Sequence, residues 1–144
     1  HQIMFVPQKA YMPQGTLRQS VCYPALPASP ETVAAALAAC RLEHLAPLLD
    51  TADDWQQRLS PGELQRIAFA RILITRPAAV LLDEATSALD EPTEAMLYRR
   101  IRQDLPRSII VSIGHRNTLA AFHNLALWVG HGDTPAAAPA PKAV

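Results

Sequence analysis

VLLDEATSALD, residues 80–90, is the stretch that decides the fold of this chain. It continues a purely apolar run, 78–82, which Asp83 and Glu84 follow directly. A short apolar run of this kind predicts a strand buried on both faces of a parallel sheet. Because ligands of open α/β sheets bind beyond the C-terminal ends of the strands, one acid is a candidate to hold Mg²⁺ and the other to activate a water. A strand that merely ends in a solvated Asp-Glu pair explains these residues alone equally well.

Predicted strands and helices alternate on both sides of this stretch. Strands are expected at residues 1–6, 78–82, 108–113 and 125–129, and helices at 16–22, 31–41, 43–49, 61–74, 91–105 and 118–123. This alternation is typical of an α/β fold with a layered sheet. The Ala/Pro-rich segment 131–144 lacks the side chains of a core and is expected to be a disordered tail.

The composition narrows the class of protein. The chain has 144 residues, of which 49% are hydrophobic, so it can build a core of ordinary size. Its 13 basic and 13 acidic residues balance, which argues against a nucleic-acid surface. No run reaches the roughly 18 apolar residues of a membrane helix. Cys22 and Cys40 have no zinc-type spacing and are expected to be packing residues in a reducing, cytosolic compartment.

Three further features stand near predicted element ends. Ser60 and Glu63 have capping-box spacing at the start of the helix at 61–74, where unpaired N–H groups can hold an anion. Gly62, between them, allows close approach to the backbone. Gln8 follows the first strand, and His115 follows the strand at 108–113. Taken singly, the first is more often an ordinary helix start, and the other two say little.

In this order, the features resemble the ATP-binding domain of ABC transporters, from just before the glutamine loop to the C-terminus. LSPGE at 59–63 and the helix after it resemble the signature, residues 80–84 resemble Walker B, and ATSALD at 85–90 resembles the D-loop. The resemblance implies a RecA-like P-loop NTPase core with an inserted helical subdomain, incomplete at the N-terminus. The implied segments are 1–14 for the first core strand and glutamine loop, 15–58 for the helical subdomain, 59–130 for the signature helix and core, and 131–144 for the tail.

The resemblance also implies roles toward ATP and Mg²⁺. Gln8 would sense the γ-phosphate and Mg²⁺ and couple to the membrane domain. Asp83 would help hold Mg²⁺, Glu84 would be the general base, and His115 would contact the γ-phosphate.

A second group of residues is implied to act across a dimer. Ser60, Gly62 and Glu63 belong to the signature that binds ATP held by the other protomer, and Asp90 would organise the interface. The implied partners are therefore a second nucleotide-binding domain, arranged head to tail, and a transmembrane domain upstream in the same polypeptide. No nucleic-acid partner is expected, and the location would be the cytoplasmic face of the cell (inner) membrane.

The chain departs from the family pattern in one important way. It contains no GxxxxGK[ST] loop, and no glycine precedes a lysine anywhere. Walker A is therefore expected before His1, and these 144 residues alone are expected to be inactive. The leading function is that of a transporter motor; the alternatives are a soluble ABC ATPase acting on ribosomes or DNA, and a truncated, non-catalytic interaction module.

A finer resemblance concerns the branch of the family. Trp55 lies shortly before the signature, and residues 114–116 are Gly-His-Arg. These features are similar to bacterial relatives of peroxisomal fatty-acyl transporters and to the ATPase-bearing relatives of SbmA/BacA. Trp55 itself is expected to anchor the core of the helical subdomain rather than to touch a substrate.

Overall fold

Three parallel strands form the central sheet of the chain. The computed structural model describes residues 2–128 and 136–139. Strands β1 (Ile3–Val6), β4 (Ala79–Asp83) and β5 (Ile109–Ile113) lie in the order β1-β4-β5, with β4 paired in parallel to both neighbours. Helix α4 (Pro61–Thr75) leads into β4, and α5 (Glu91–Asp104) connects β4 to β5. The predicted α/β class is confirmed.

The segment between β1 and α4 is mainly helical. It contains α1 (Leu17–Cys22), α2 (Pro30–Ala39), a 3-10 helix (Glu43–Leu48) and α3 (Trp55–Arg58), and two short strands, β2 (Gly15–Thr16) and β3 (Ala52–Asp53), pair antiparallel within it. Trp55 is 1% exposed, and its indole N–H donates to the Gly15 carbonyl at 3.2 Å. The expectation that Trp55 is a core anchor is confirmed.

Helix α4 joins this helical lobe to the sheet. It packs against α1 and α2 on one side and α5 on another, and its buried residues belong to one hydrophobic core that runs from the lobe to the sheet. Arg71 lies inside this core and donates hydrogen bonds to the carbonyls of Tyr11, Ser20 and Val21, which strap the lobe to α4. Burial lowers the pKa of Arg71 to about 10.

Cys22 and Cys40 are buried and free, as expected of packing residues. Burial raises the pKa of the Cys40 thiol to about 12, so the reactive thiolate is scarce at neutral pH. Within residues 2–128 and 136–139, no helix is both long enough and apolar enough to cross a bilayer.

Among the residues that the structure describes, the sheet is covered on one face only, which corrects the prediction that β4 is buried on both. Val80 and Leu82 are at most 1% exposed, whereas Leu81 between them is 39% exposed. The same side of the sheet exposes a set of apolar side chains: Ile3, Phe5, Ile109, Val111 and Ile113. The described helices pack against the opposite face, so the alternation of a one-sided strand replaces the expected two-sided burial.

The C-terminal strand also differs from expectation. Strand β6 (Leu125–Trp128) does not join the central sheet; it pairs antiparallel with β7 (Ala136–Pro139). These four residues belong to the tail that was predicted to be disordered, but they adopt strand geometry. The cause is hydrogen bonding to the β6 backbone, which the Ala/Pro-rich sequence of the tail does not predict. The remainder of the tail expectation, residues 131–135 and 140–144, lies outside the described residues, as does His1.

Candidate functional site

The ends of the three parallel strands bring four of the predicted residues to one edge of the sheet. Gln8 follows β1, Asp83 ends β4 with Glu84 next in the chain, and His115 follows β5. Asp83 is aligned with Ile113 of β5, two residues before His115. Because all three strands are parallel, these side chains emerge at the edge where open α/β sheets bind ligands.

Glu84 and His115 form the closest pair at this edge. His115 Nε2 lies 2.9 Å from Glu84 Oε1, and the Glu84 side chain is 31% exposed, so water can reach it. The Glu84 N–H donates to the Ile113 carbonyl at 2.9 Å, which carries the β4–β5 ladder one residue beyond the strand. A carboxylate within reach of water and of an imidazole is a suitable acid-base pair for hydrolysis.

The backbone of Glu84 is strained. Its φ is +48°, in the left-handed region that non-glycine residues seldom adopt. Such strain costs on the order of 1–3 kcal/mol and is concentrated at functional sites. Here the left-handed residue turns the chain sharply off β4 and directs the Glu84 side chain toward His115.

The N-terminus of α4 has the predicted capping box. The Ser60 hydroxyl accepts from the Glu63 N–H at 3.3 Å, and Glu63 Oε2 accepts from the Ser60 N–H at 2.9 Å. His44 Nε2, from the helical lobe, lies 2.9 Å from Glu63 Oε1. Burial alone would raise the pKa of Glu63, but the hydrogen bonds from Ser60 and His44 outweigh it and hold the pKa below its usual value.

The signature residues do not contact the strand-edge pair. Among the described residues, Ser60 and Glu63 bond to each other, and Glu63 also bonds to His44. The nearest D-loop atoms to Gly62 are the Ala88 carbonyl and Leu89 Cδ2, which would lie 3.5 and 3.6 Å from an added Cβ. Those are ordinary contact distances, so packing within this chain does not require a glycine at position 62.

Asp90 closes the D-loop as the N-cap of α5. Its side chain accepts from the Thr93 N–H at 3.0 Å, and hydrogen bonds from the Thr93 side chain and backbone lower the pKa of the Asp90 carboxyl. This capping role by itself accounts for an aspartate at that position.

A buried link between the D-loop and the loop of His115 was not foreseen from the sequence. Glu94 of α5 is fully buried and accepts from the hydroxyls of Thr86 at 2.5 Å and Thr118 at 2.8 Å. Arg116 donates to the carbonyls of Ser87 and Leu89, at 3.2 and 2.8 Å, and its guanidinium lies 3.7 Å from the Glu94 carboxylate. The residue after His115 is thereby fastened to the loop after Glu84.

The feature of the sequence that could have predicted this link is the position of Glu94 on α5. Residues 94, 97, 98 and 101 follow helical spacing, and the other three are the buried Leu97, Tyr98 and Ile101. A carboxylate at a position of the apolar stripe is either exposed, in which case the stripe is misassigned, or buried. A buried carboxylate needs hydrogen-bond partners, because an unpaired buried charge is very costly.

Glu94→Ala is expected to lower the free energy of unfolding by about 3 kcal/mol, because two hydrogen bonds from hydroxyls to a buried carboxylate are lost. Arg116 adds little to this figure, since its side chain is 38% exposed and screened by solvent. The measurement is urea unfolding of a complete ATP-binding domain that carries this sequence. Glu91→Ala, an exposed glutamate in the first turn of the same helix, is the matched control and should cost no more than about 1 kcal/mol. Equal losses in the two variants would contradict the buried link.

The strand edge also suits a Mg²⁺ ion of the kind that phosphate-transfer enzymes use. Residues 2–128 and 136–139 contain no cluster of three or more His, Cys, Asp or Glu side chains able to cage a metal. Mg²⁺ in such enzymes takes one or two carboxylates and fills its other positions with water and substrate phosphates. A single half-buried carboxylate, Asp83, at the end of the strand next to the one that Gln8 follows, matches that donor set and does not match a dedicated protein cage.

Comparison with known proteins gives consistent results. Residues 1–87 match the family model described as ABC transporter. An "Uncharacterized ABC transporter ATP-binding protein" of Haemophilus influenzae is 53% identical over 121 residues, which cover 84% of this chain and 20% of that protein. The human "Lysosomal cobalamin transporter ABCD4" is 40% identical over 139 residues, covering 88% of this chain and 23% of that protein. The chain therefore spans about a fifth of the length of these relatives.

A solved structure described as a bacterial Atm1-family ABC exporter with ATP bound superposes with a TM-score of 0.76 at 32% identity, covering 87% of this chain and 23% of the other. The family match and the structural match both point the same way: this chain belongs to the ABC transporter family, as part of its ATP-binding domain.

Proposed function

We propose that this chain is the part of a transporter's ATPase motor that supplies the catalytic edge and the signature helix. The observation that carries the proposal is the pairing of His115 with Glu84, 2.9 Å apart at the end of adjacent parallel strands. Residues that hydrolyse the phosphoanhydride of ATP need this placement, because the attacking water must be oriented and deprotonated where the γ-phosphate sits. ATP would be the substrate.

In the proposed mechanism, Glu84 accepts a proton from the attacking water, and the strained turn after β4 holds its carboxylate in place. His115 would keep that carboxylate oriented and donate a hydrogen bond toward the γ-phosphate. Asp83 and Gln8 would hold a bound Mg²⁺, which supplies positive charge to the phosphates. Arg116, through its hydrogen bonds to the D-loop, would fix the loop of His115 relative to Glu84.

The signature end of α4 would act on a second protomer. Ser60 and Gly62 lie at a helix N-terminus whose N–H groups and dipole favour an anion. Since packing within this chain leaves room for a side chain at Gly62, a group from outside the chain gives a reason for the glycine. The proposed assembly is a head-to-tail dimer of ATP-binding domains on the cytoplasmic face of the membrane, coupled to and driving a transmembrane domain of the same polypeptide.

We further propose the branch that includes the peroxisomal fatty-acyl transporter relatives, with the SbmA/BacA-related importers as its bacterial members. Similarity to a protein named as a lysosomal cobalamin transporter supports that placement. Trp55 before the signature and Gly-His-Arg at residues 114–116 support it as well. The transported molecule would be selected by the membrane domain.

The test is ATP hydrolysis by a full-length protein that contains this sequence, purified in lipid nanodiscs. Mg²⁺-dependent phosphate release that vanadate inhibits is the expected result, together with recovery of the protein in the membrane fraction of cells. Hydrolysis that requires ribosomes or DNA, by a protein absent from membranes, would favour the alternative class of ABC ATPase. Nucleotide binding without any turnover would favour a non-catalytic module.

A further inference from the structure

The buried side chain of Gln65 joins three segments of the site. Gln65 lies in the second turn of α4 and is 4% exposed. Its Oε1 accepts from the Ala88 N–H at 2.9 Å, and its Nε2 donates to the Gln8 carbonyl at 3.1 Å and to the Ser87 hydroxyl at 3.0 Å. One amide therefore satisfies groups of the glutamine loop and of the D-loop from the signature helix.

Helix α4 and the D-loop are not closely packed where these hydrogen bonds join them. A cleft of about 380 Å³ opens at the same junction, and its lining residues are Gln8, Lys9, Pro61, Leu64, Gln65, Ser87 and Ala88. Ser87 and Ala88 are exposed, so the D-loop has few apolar contacts there to hold it against α4. The relative position of helix and loop at this point depends on the amide.

Gln65 is also mechanically linked to the proposed trans site. It lies five positions after Ser60, or about 7 Å along a rigid helix that rises 1.5 Å per residue. A movement of the Ser60 end must therefore move the Gln65 amide, and with it the backbone at Ala88 and Gln8. Ser87 also accepts from the Gln8 side chain at 3.3 Å, so the glutamine loop and the D-loop are joined to each other as well.

We propose that Gln65 is a positioning residue that couples occupancy of the trans site at Ser60 to the alignment of Gln8 and the loop after Glu84. This inference rests on the proposed ATPase function. Gln65 would touch neither ATP nor water; its effect would be on turnover rather than on nucleotide affinity, because the phosphate contacts are made by other groups.

The experiment measures ATP hydrolysis and binding of a fluorescent ATP analogue by full-length protein carrying Gln65→Leu or Gln65→Glu. Leucine removes all three hydrogen bonds, whereas glutamate keeps the acceptor for Ala88 and loses both donors. We expect kcat to fall about 10- to 100-fold for leucine and less for glutamate, since small misalignment has effects of that size. KM and analogue affinity should change less than about threefold, as for a loss confined to the transition state.

A double variant and a control complete the test. Ser87→Ala should slow Gln65→Leu by less than it slows the wild type, because the Gln65–Ser87 bond is already lost and only the Gln8–Ser87 bond remains to be removed. Gln56→Leu is the matched control: Gln56 Oε1 accepts from the Met12 N–H at 2.9 Å, which joins the helical lobe to segment 1–14, and among the described residues Gln56 bonds to neither the D-loop nor α4. Its kcat should stay within about twofold of the wild type.

The outcomes separate this inference from the proposed function. Wild-type protein without ATPase activity would overturn both. Active wild type, a dead Glu84→Gln variant and a Gln65→Leu variant with normal kcat would overturn the coupling role alone. A fall in nucleotide affinity as large as the fall in kcat would identify Gln65 as a structural residue only. So would a fall in kcat of equal size in Gln56→Leu. If the leucine variant does not fold, the near-isosteric Gln65→Glu decides by the same criteria.

Discussion

Glu84→Gln is expected to lower kcat for ATP hydrolysis by about 10²- to 10⁴-fold in a full-length protein that contains this sequence, while ATP affinity stays within a fewfold of the wild type. An amide keeps the shape of the side chain but cannot accept a proton from the attacking water, and general-base catalysis contributes rate factors of this size. The measurement pairs phosphate release with equilibrium binding of a labelled ATP analogue. Because the left-handed backbone at Glu84 is set by the turn and not by the carboxylate, the variant should keep the fold.

Two companion variants test whether binding and turnover depend on different residues. Asp83→Asn should weaken nucleotide binding in the presence of Mg²⁺ and have little effect in its absence, since a neutral amide holds that ion less strongly than a carboxylate does. His115→Ala should lose turnover with little loss of binding, because Glu84 then lacks the imidazole 2.9 Å away. Equal loss of nucleotide affinity in the Glu84 and Asp83 variants would show that the two roles are wrongly assigned.

Ser60→Arg is expected to abolish hydrolysis by acting on the other protomer's nucleotide. The helix N-terminus already carries a positive end of its dipole, so an arginine at the N-cap adds like charge as well as bulk where the two domains close. Nucleotide affinity of the separated monomer should barely change. Ser29→Arg is the matched control, because Ser29 is also an N-cap followed by proline, at the start of α2; it should retain hydrolysis.

A heterodimer distinguishes action in trans from action in cis. With Ser60→Arg on one protomer and a Walker A lesion on the other, both lesions fall in the same composite site and the second site stays intact. With both lesions on one protomer, each site is damaged once. Residual activity is expected only in the first arrangement. Strong activity in the second arrangement would refute the trans role, and equal loss in both would remove its support.

Patterns of local sequence predicted most of the elements and the capping box of α4. Helices α2, α4 and α5 begin after Ser or Asp caps followed by Pro or Glu. Such a residue indicates from local sequence alone that its side chain accepts a hydrogen bond from an N–H of the first helical turn. The strand edge was predictable for a similar reason, since a polar residue ends each parallel strand or follows it within two residues. The roles of Gln8, Asp83, Glu84 and His115 remain predictions until the variants are measured.

Contacts between distant segments were not predictable in this way. The partners of Gln65 lie 57 residues earlier and 22–23 residues later, and no local pattern encodes such pairings. Arg71 is a cation in the core whose three carbonyl acceptors belong to the helical lobe. The single-sided burial of β4 was missed because the sequence of an apolar strand does not differ according to whether one or both faces are covered. Within β4, the exposure of the Leu81 side chain in the structure shows that one face is uncovered.

The order of the strands has a consequence for the time course of synthesis. Ile3 of β1 pairs with Ala79 of β4, so the two strands leave the ribosome about 76 residues apart, or roughly 4 to 15 seconds at usual translation rates. During that interval the whole helical lobe emerges, while β1 cannot yet pair with β4. The lobe can therefore begin to fold first, and Arg71 arrives in time to fasten it to α4 before β4 is made. Changes that slow translation between residues 7 and 78 would lengthen the exposure of β1 without altering any contact of the finished protein.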